Sequence, residues 1–291
     1  MQAQRKLSFM LLAALTVAPA FVHAQPSLPP GQLDQVVSRI ALYPDPLLAQ
    51  VLAGATYSDQ IPDAAGWADQ HHYLTGQALA NAISGDQLPW DPSVLALLPF
   101  PSVLAMMASD MNWTRQLGDA FLSQEQDVMD AVQRERQTAQ RYGYLRSNGQ
   151  VVVGAGPYIT IMPVNPAFVV VPAYDPGIVF LAPRPGFAVG GAIHFGFGVS
   201  IGAYFRPWGW GLGRFDWGGR RVYINNSVWN RTYVNRGSYV HPYEGVRRPA
   251  PQAVRPAEQH RVEPRSPQER QAPQRGERSP KESHGHDDHK R

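Results

Sequence analysis

The segment from residue 206 to residue 221 carries the strongest combination of side chains that could bind a ligand. Tryptophans alternate there with glycines, and four arginines are interleaved with them: Arg206, Trp208, Trp210, Arg214, Trp217, Arg220 and Arg221. Guanidinium groups stack on aromatic faces, and surfaces of this composition bind glycans or polyanions. The alternative is a small β subdomain whose rings form the core while the arginines stay in solvent. That alternative is favoured, because aromatic side chains dominate core packing.

Three histidines near the C-terminus, His284, His286 and His289, are the candidate metal ligands. They stand beside Asp287 and Asp288, and imidazole with carboxylate suits Zn²⁺, Ni²⁺ or Cu²⁺. Ligands on a disordered segment lose conformational entropy when they are ordered, so weak adventitious binding is favoured over a dedicated site. The chain has no cysteine, which excludes thiolate metal sites and disulfides. The sequence therefore predicts no cofactor.

Candidates for acid–base catalysis are few. Asp69, His71 and His72 lie together, but adjacent histidines cannot face one way on a helix, which favours a surface helix end. The chain lacks the Gly-x-Ser-x-Gly, His-Glu-x-x-His and Ser-x-x-Lys motifs of hydrolases. Asp175 and Asp216 could serve as glycosidase carboxylates, although Asp175 also suits a turn. We expect a non-catalytic protein, with a hydrolase of cell-wall polymer as the alternative.

Residues 1–24 have the pattern of a secretory signal. Arg5 and Lys6 precede an apolar run from Leu7 to Phe21, and residues 22–24 fit a cleavage site. The run is shorter than the ~20 apolar residues that a membrane span needs. The sequence therefore predicts export to the periplasm or beyond in a Gram-negative bacterium, with no transmembrane span left after cleavage.

Residues 25–142 have the periodicity of short helices. Four apolar residues recur at helical spacing at the start of this region: Leu33, Val36, Val37 and Ile40. Asp45-Pro46 and Asp91-Pro92 predict helix starts with aspartate as N-cap and proline at the first helical position. Residues 123–126 fit a capping box, and the helix after them should end near Tyr142 with Gly143 as its stop.

Residues 143–246 have strand and turn signals. Asn148-Gly149 predicts a hairpin between residues 144–145 and 151–153. The segment 158–180 contains two Pro-x-x-Pro turns and predicts three short strands joined by rigid corners. Residues 195–205 alternate apolar and small side chains, which favours a strand over the alternative, a membrane-inserting hairpin across residues 186–205. Val222 to Ile224 followed by Asn225-Asn226 predicts a strand and a turn.

Charge divides the chain into regions of opposite sign. Residues 25–150 hold 6 basic and 13 acidic residues, net −7, whereas residues 151–246 hold 7 basic and 3 acidic, net +4. Residues 247–291 are rich in proline, arginine and glutamate, which predicts a disordered polyampholyte tail. The tail could bind polyanions as well as metal. Because the basic charge is not on one globular face, and because export is expected, no nucleic-acid partner is predicted.

Three motifs resemble those of a bacterial exported family, the family of domain of unknown function 3300. They are residues 40–52 (IALYPDPLLAQVL), residues 113–121 (WTRQLGDAF) and the proline repeat from Pro163 to Pro176. The resemblance implies export, helices in front of a glycine- and aromatic-rich part, and no transferable activity. The expected fold is α+β: short helices, a small antiparallel β module and the tail. Expected partners are a cell-wall or envelope component, with peripheral membrane contact and self-association left open.

Overall fold

The computed structural model describes residues 27–186, 189–211 and 213–239. The predicted signal at residues 1–24 and the predicted tail at residues 247–291 lie outside the described residues. The candidate metal ligands His284, His286 and His289 lie outside them too. The described residues all belong to one compact unit.

Short helices form the first part of the described chain. They are α1 (Pro30–Val37), α2 (Asp45–Ala55), α3 (Ile61–Gln70), α4 (Gly76–Gly85), α5 (Pro92–Leu95), α6 (Pro101–Ser109), α7 (Met111–Ser123) and α8 (Glu125–Arg141), with a 3₁₀ turn at Ser58–Gln60. Prolines stand in the first turn of several of them, where a missing N–H costs nothing. Within the described residues, none of the helices is both long and apolar enough to cross a membrane.

Short antiparallel strands form the second part. They are β1 (Val151–Val153), β2 (Ile161–Pro163), β3 (Phe168–Val169), β4 (Pro172–Tyr174), β5 (Ile193–Phe195), β6 (Val199–Ser200), β7 (Arg214–Asp216), β8 (Arg221–Ile224) and β9 (Ser227–Val228), with a one-turn helix α9 (Pro176–Val179) and a 3₁₀ helix (Ala203–Trp208) between strands. β1 pairs with β2, β3 with β6 and β4 with β5, and β7, β8 and β9 form a three-stranded sheet. The predicted α+β class is confirmed.

The helix boundaries confirm some predicted signals and correct others. The Asp91 carboxylate caps α5 by accepting the Ser93 N–H, and α8 ends at Arg141 ahead of Gly143, whose φ is +80°. The predicted capping box at residues 123–126 is wrong. Ser123 is the last residue of α7, and its hydroxyl donates to the Asp119 carbonyl. Asp45 is the first residue of α2 rather than its N-cap, and its carboxylate is buried.

The strand pairing corrects two predictions. β1 pairs with β2 rather than with residues 144–145. Asn148 does form a turn, because its N–H donates to the Val151 carbonyl at 2.9 Å and its side chain accepts the N–H groups of Gln150 and Val151, but no strand precedes this turn. Residues 195–205 hold the last residue of β5, the two-residue β6 and the start of a 3₁₀ helix rather than one strand. Residues 158–180 do hold three short strands, but the third, β4, lies within the second Pro-x-x-Pro turn, and the residues after that turn, where a strand was expected, form α9. Asn225-Asn226 does turn β8 into β9, with positive φ at both residues.

A buried ion pair joins the helical part to the β part. Arg136 of α8 is wholly buried, and its guanidinium lies 2.6 Å from Asp45 Oδ1. The same guanidinium donates to three carbonyl oxygens, those of Ala41 (2.8 Å), Tyr43 (2.9 Å) and Ile159 (2.8 Å). Trp217 Nε1 donates to Asp45 Oδ2 at 3.1 Å. The pair therefore fixes α2, α8 and the loop before β2 against the three-stranded sheet.

One hydrophobic core is shared by the two parts. Leucines and valines of α1, α2, α6 and α8 belong to the same buried cluster as Phe205, Trp208, Trp210, Val222 and Trp229. Trp90 and Trp113, in the helical part, are buried in this cluster as well. Because the rings of the β part complete the helical core, the β part is an integral layer of the same unit.

Candidate functional site

The tryptophans of the segment 206–221 are core residues. Trp208, Trp210 and Trp217 expose 4%, 1% and 5% of their surface. The indole N–H of Trp210 donates to the Ala96 carbonyl at 2.9 Å, and that of Trp217 donates to Asp45. These rings therefore present no face on which a ligand could stack. This agrees with the favoured prediction that the rings form the core of a small β subdomain.

The arginines of the same segment are exposed: Arg206, Arg214, Arg220 and Arg221. Arg220 pairs with Asp130 at 3.1 Å, and the Arg214 guanidinium lies 4.3 Å from the centre of the Tyr223 ring. Two of the four thus have partners on the protein surface already. The segment therefore consists of a buried aromatic layer and solvated arginines, without the mixed platform that its composition suggested.

The carboxylates that a hydrolase would use occupy turn positions. Asp175 caps α9 by accepting the Gly177 N–H at 2.7 Å, and Asp216 accepts the Gly219 N–H at 2.8 Å. Among the described residues, no three His, Asp or Glu side chains are placed to hold a metal ion. The described geometry therefore gives these two aspartates structural bonds and no shared site.

Two glutamates of α8 have shifted acidities that the sequence did not indicate. Burial raises the pKa of Glu125 to about 7, against the lowering effect of the Val222 N–H that its carboxylate accepts. Burial and the nearby Asp34 raise the pKa of Glu135 to about 7 as well. A pKa near 7 suits acid–base chemistry, but neither side chain lines the cleft described below.

An exposed apolar surface lies on the β part, and we call it the neutral face. Its residues are half to fully exposed: Val152, Met162, Val164, Phe168 and Phe197. No Asp, Glu, Lys or Arg occurs between Arg146 and Asp175 or between Arg184 and Arg206, the two segments that supply it. A typical protein carries a charged residue about every fourth position. The neutral face is therefore supplied by two unusually long uncharged segments of the chain.

Specific contacts hold together the segments that carry the neutral face. Val152 and Met162 are directly opposite each other in the β1–β2 pair. The Gln150 side chain, next along this pair, donates to the Gly196 carbonyl at 2.8 Å and so ties it to the turn that carries Phe197. On the other side of that turn, Gly198 packs against Phe168 so closely that an added Cβ would lie 3.2 Å from the Phe168 Cβ.

A cleft of about 410 Å³ opens beside Phe197. Its floor consists of buried core side chains, which include Ala68, Leu79 and Leu98. Phe197 and Val199 form one wall, so the cleft is continuous with the neutral face. Ligand pockets commonly have volumes of roughly 300–1,000 Å³ and mostly apolar walls.

The histidines singled out in the sequence, His71 and His72, stand at the rim of this cleft. They follow the last residue of α3, as the predicted surface helix end requires. The His71 ring stacks on Trp67 with centroids 3.9 Å apart, and its Nδ1 lies 2.8 Å from the Trp67 carbonyl oxygen. Since a carbonyl only accepts, Nδ1 carries the hydrogen and Nε2 is the acceptor of the neutral ring.

No sequence motif marks the neutral face or the cleft beside Phe197. The signal that the sequence does carry for them is the absence of charged residues. Residues 158–180 and 195–205 were identified for their turns and their alternation, and their exposed members form most of the neutral face. Which members are exposed depends on strand pairing, which local patterns do not determine.

Comparison with known proteins identifies relatives without an assigned activity. The model of a family described as "Protein of unknown function (DUF3300)" matches residues 29–248. A protein of Escherichia coli (strain K12), "Uncharacterized protein YacH", is 38% identical over 209 residues, which cover 58% of this chain and 34% of that protein. The chain thus spans about a third of the length of this relative. No solved structure matches the chain.

Proposed function

The chain belongs to the DUF3300 family of proteins of unknown function, and from that premise we propose that it is an exported, non-catalytic protein that binds a component of the Gram-negative cell envelope. The neutral face is the proposed contact surface. Export rests on the signal pattern of residues 1–24.

The observation that carries this proposal is the combination of exposure and absent charge on the neutral face. Met162, Phe168 and Phe197 are large apolar side chains in water, where each loses the free energy that burial would give it. Contiguous exposed apolar patches mark interaction sites on soluble proteins. A face of this kind is expected to be covered by a partner when the protein works.

Among envelope components, the outer membrane fits this face better than glycan does. Glycan-binding surfaces use exposed aromatic platforms, and the tryptophans that would have formed one are buried. Addition of a partner strand is also disfavoured, because β1, β2 and β3 are only two or three residues long. Self-association through the neutral face is the competing outcome of the experiment.

Flotation with vesicles made from outer-membrane lipids tests the contact. The protein should be used from Gln25 onward, which keeps every described residue. We expect the protein to float with the vesicles, and we expect Met162→Ser and Phe168→Ser each to weaken flotation at least severalfold. Val234→Ser is the matched control, since Val234 is an exposed apolar residue outside the neutral face.

Three results would overturn this assignment. If the Val234 variant loses as much binding as the neutral-face variants, the contact is non-specific. If the protein does not float with the vesicles but sediments with purified peptidoglycan, glycan is the partner. Substitution of Arg214 and Arg221 by serine then tests the exposed arginines, and dimerisation that Met162→Ser abolishes would indicate self-association.

The export step has its own measurement. Expression in a Gram-negative host, followed by fractionation and mass spectrometry, should yield a periplasmic or envelope-bound product whose first residue is Gln25. An uncleaved product in the cytoplasmic fraction would refute the signal assignment.

A hydrolase of cell-wall polymer is the alternative function. The raised pKa values of Glu125 and Glu135 are the observation in its favour. Turnover of peptidoglycan fragments that is abolished by Glu125→Gln or Glu135→Gln would establish it, as would turnover that needs Asp175 or Asp216. Binding of metal or polyanions by residues 247–291 is a separate alternative, and deletion of that segment tests it.

A further inference from the structure

We propose that the cleft beside Phe197 binds one straight alkyl chain of an amphiphile and leaves the head group in solvent. This inference rests on the proposed envelope contact for the origin of the chain, an envelope lipid. The binding chemistry itself rests only on the residues that form the cleft.

The floor of the cleft is apolar and well supported. Ala68, Leu79 and Leu98 are buried members of the main core cluster, so the floor is continuous with the hydrophobic core. Leu74 and Phe197 extend this apolar surface toward solvent. Each methylene that moves from water onto such a surface gains about 0.8 kcal/mol.

The absence of charged side chains in the cleft determines which part of the ligand can enter it. Among the described residues that line it, none is Asp, Glu, Lys or Arg. Its polar groups are the imidazoles of His71 and His72 and the hydroxyls of Thr75 and Ser200, and the Ser200 hydroxyl already bonds Tyr204 at 2.8 Å. A charged head group would lose its hydration there without an ionic partner, so the head stays outside.

The position of the cleft's opening and the composition of the C-terminal segment favour a lipid chain as the occupant over a segment of this protein. The cleft opens onto the neutral face through Phe197 and Val199, so a bilayer on that face would present chains at its mouth. The tail from residue 247 has no aromatic residue and consists largely of charged residues and proline, which do not suit an apolar cleft.

Two substitutions distinguish binding in the cleft from binding elsewhere on the protein. Thr75 lines it, is exposed and makes no side-chain capping bond to α4, so Thr75→Phe narrows the cleft without removing a cap. Ala78 is also exposed on the first turn of α4 but does not line the cleft, so Ala78→Phe is the matched control. The control adds the same ring three residues further along the chain, in the first turn of the helix that Thr75 precedes.

The experiment is titration calorimetry of the protein from Gln25 onward with single-chain detergents below their micelle concentrations. Decyl and dodecyl maltosides test chain length, while dodecyl phosphocholine and dodecyl sulfate test the head. We expect binding that tightens about fourfold per methylene, or about fifteenfold from ten to twelve carbons, and that changes little with the head. Thr75→Phe should weaken it at least tenfold, and Ala78→Phe should not.

Several results would overturn the proposal. Affinity that follows head-group charge, a chain-length effect below twofold per methylene, or equal losses in the two phenylalanine variants would each do so. The detergent series uses the unsubstituted protein, so it remains decisive even if Thr75→Phe impairs folding. Vesicle flotation separates the two proposals: detergent binding without flotation retains the cleft and refutes the membrane contact, whereas flotation without chain-dependent binding does the reverse.

Discussion

Replacing Asp45 by asparagine should destabilise the protein far more than an ordinary loss of an ion pair. Asp45 Oδ1 accepts from Arg136 and from the Ile161 N–H, and Oδ2 accepts from Trp217 Nε1. Asparagine keeps the shape but has one acceptor oxygen, so its NH₂ group would face at least one of these donors. It also leaves the guanidinium of Arg136 buried without a counter-charge.

The burial of the pair determines the expected magnitude. Removing one partner of a buried pair typically costs about 3–5 kcal/mol, because the remaining charge is desolvated and uncompensated. Exposed pairs contribute about 0–1 kcal/mol. Asp45 and Arg136 expose 5% and 0% of their side chains, so the larger range applies. Since domains unfold with about 5–15 kcal/mol, Asp45→Asn should remove a large share of the total.

Asp34→Asn is a matched control within the same chain. Asp34 pairs with Arg134 of the same helix α8 at the same 2.6 Å, but those side chains are 28% and 40% exposed. Urea unfolding followed by tryptophan fluorescence should show a loss of about 3–5 kcal/mol for Asp45→Asn and under about 1 kcal/mol for Asp34→Asn, with unchanged m-values. Equal losses in the two variants would refute the argument from burial.

Two further predictions concern a helix contact and pH. Gly118→Ala should lower the free energy of unfolding by about 2 kcal/mol or more, because the added Cβ would overlap the Ala55 carbonyl. Gly66 has open space around it, so Gly66→Ala should raise the free energy of unfolding by about 0.5–1 kcal/mol. Thermal melts of the two variants compare these effects. The folded protein raises the pKa of Glu125 from 4.5 to about 7, so its stabilising contribution is complete below pH 4.5 and is lost as the pH rises through about 7. Glu125→Gln should therefore reduce the fall in Tm across this window, leaving the part due to Glu135, and an unchanged fall would contradict the shift.

Local signals predicted the helical part well because short-range geometry determines it. Proline supplies a helical φ and lacks an N–H that the first turn does not need, so the start at Pro92 was visible in the sequence. Gly143 ends α8 because its φ of +80° disfavours other residues. Such signals act within one turn of a helix and need no knowledge of the rest of the chain.

The role of Asp45 was hidden because its partners are distant in sequence. Asp45-Pro46 has the local form of a capped helix start, as Asp91-Pro92 has, and Asp91 does cap α5. Asp45 instead reaches Arg136 and Trp217, which are 91 and 172 residues away. Arg136 was hidden as well, because an arginine counts as polar in any helical periodicity although this one is wholly buried.

The strand part was predicted less well because pairing there is non-local. Asn148-Gly149 has the composition of a hairpin turn, but Asn148 bonds the next backbone N–H groups while β1 pairs with β2. A shift in pairing changes which side chains face solvent, so the neutral face depended on pairings that no turn motif encodes.

The segment richest in potential binding residues holds the fold together, and the proposed contact surface lies mainly on the proline-rich repeat. The tryptophan- and arginine-rich segment had the residues of a binding platform, yet Trp217 bonds Asp45 and lies 5.0 Å from the Arg136 guanidinium, where it holds the two parts together. The proline-rich repeat had the residues of a scaffold, yet it exposes Val164 and Phe168. The two roles are physically linked: because the β part is fixed to the helical core through buried tryptophans, its outer side can remain apolar without the strands rearranging to hide it.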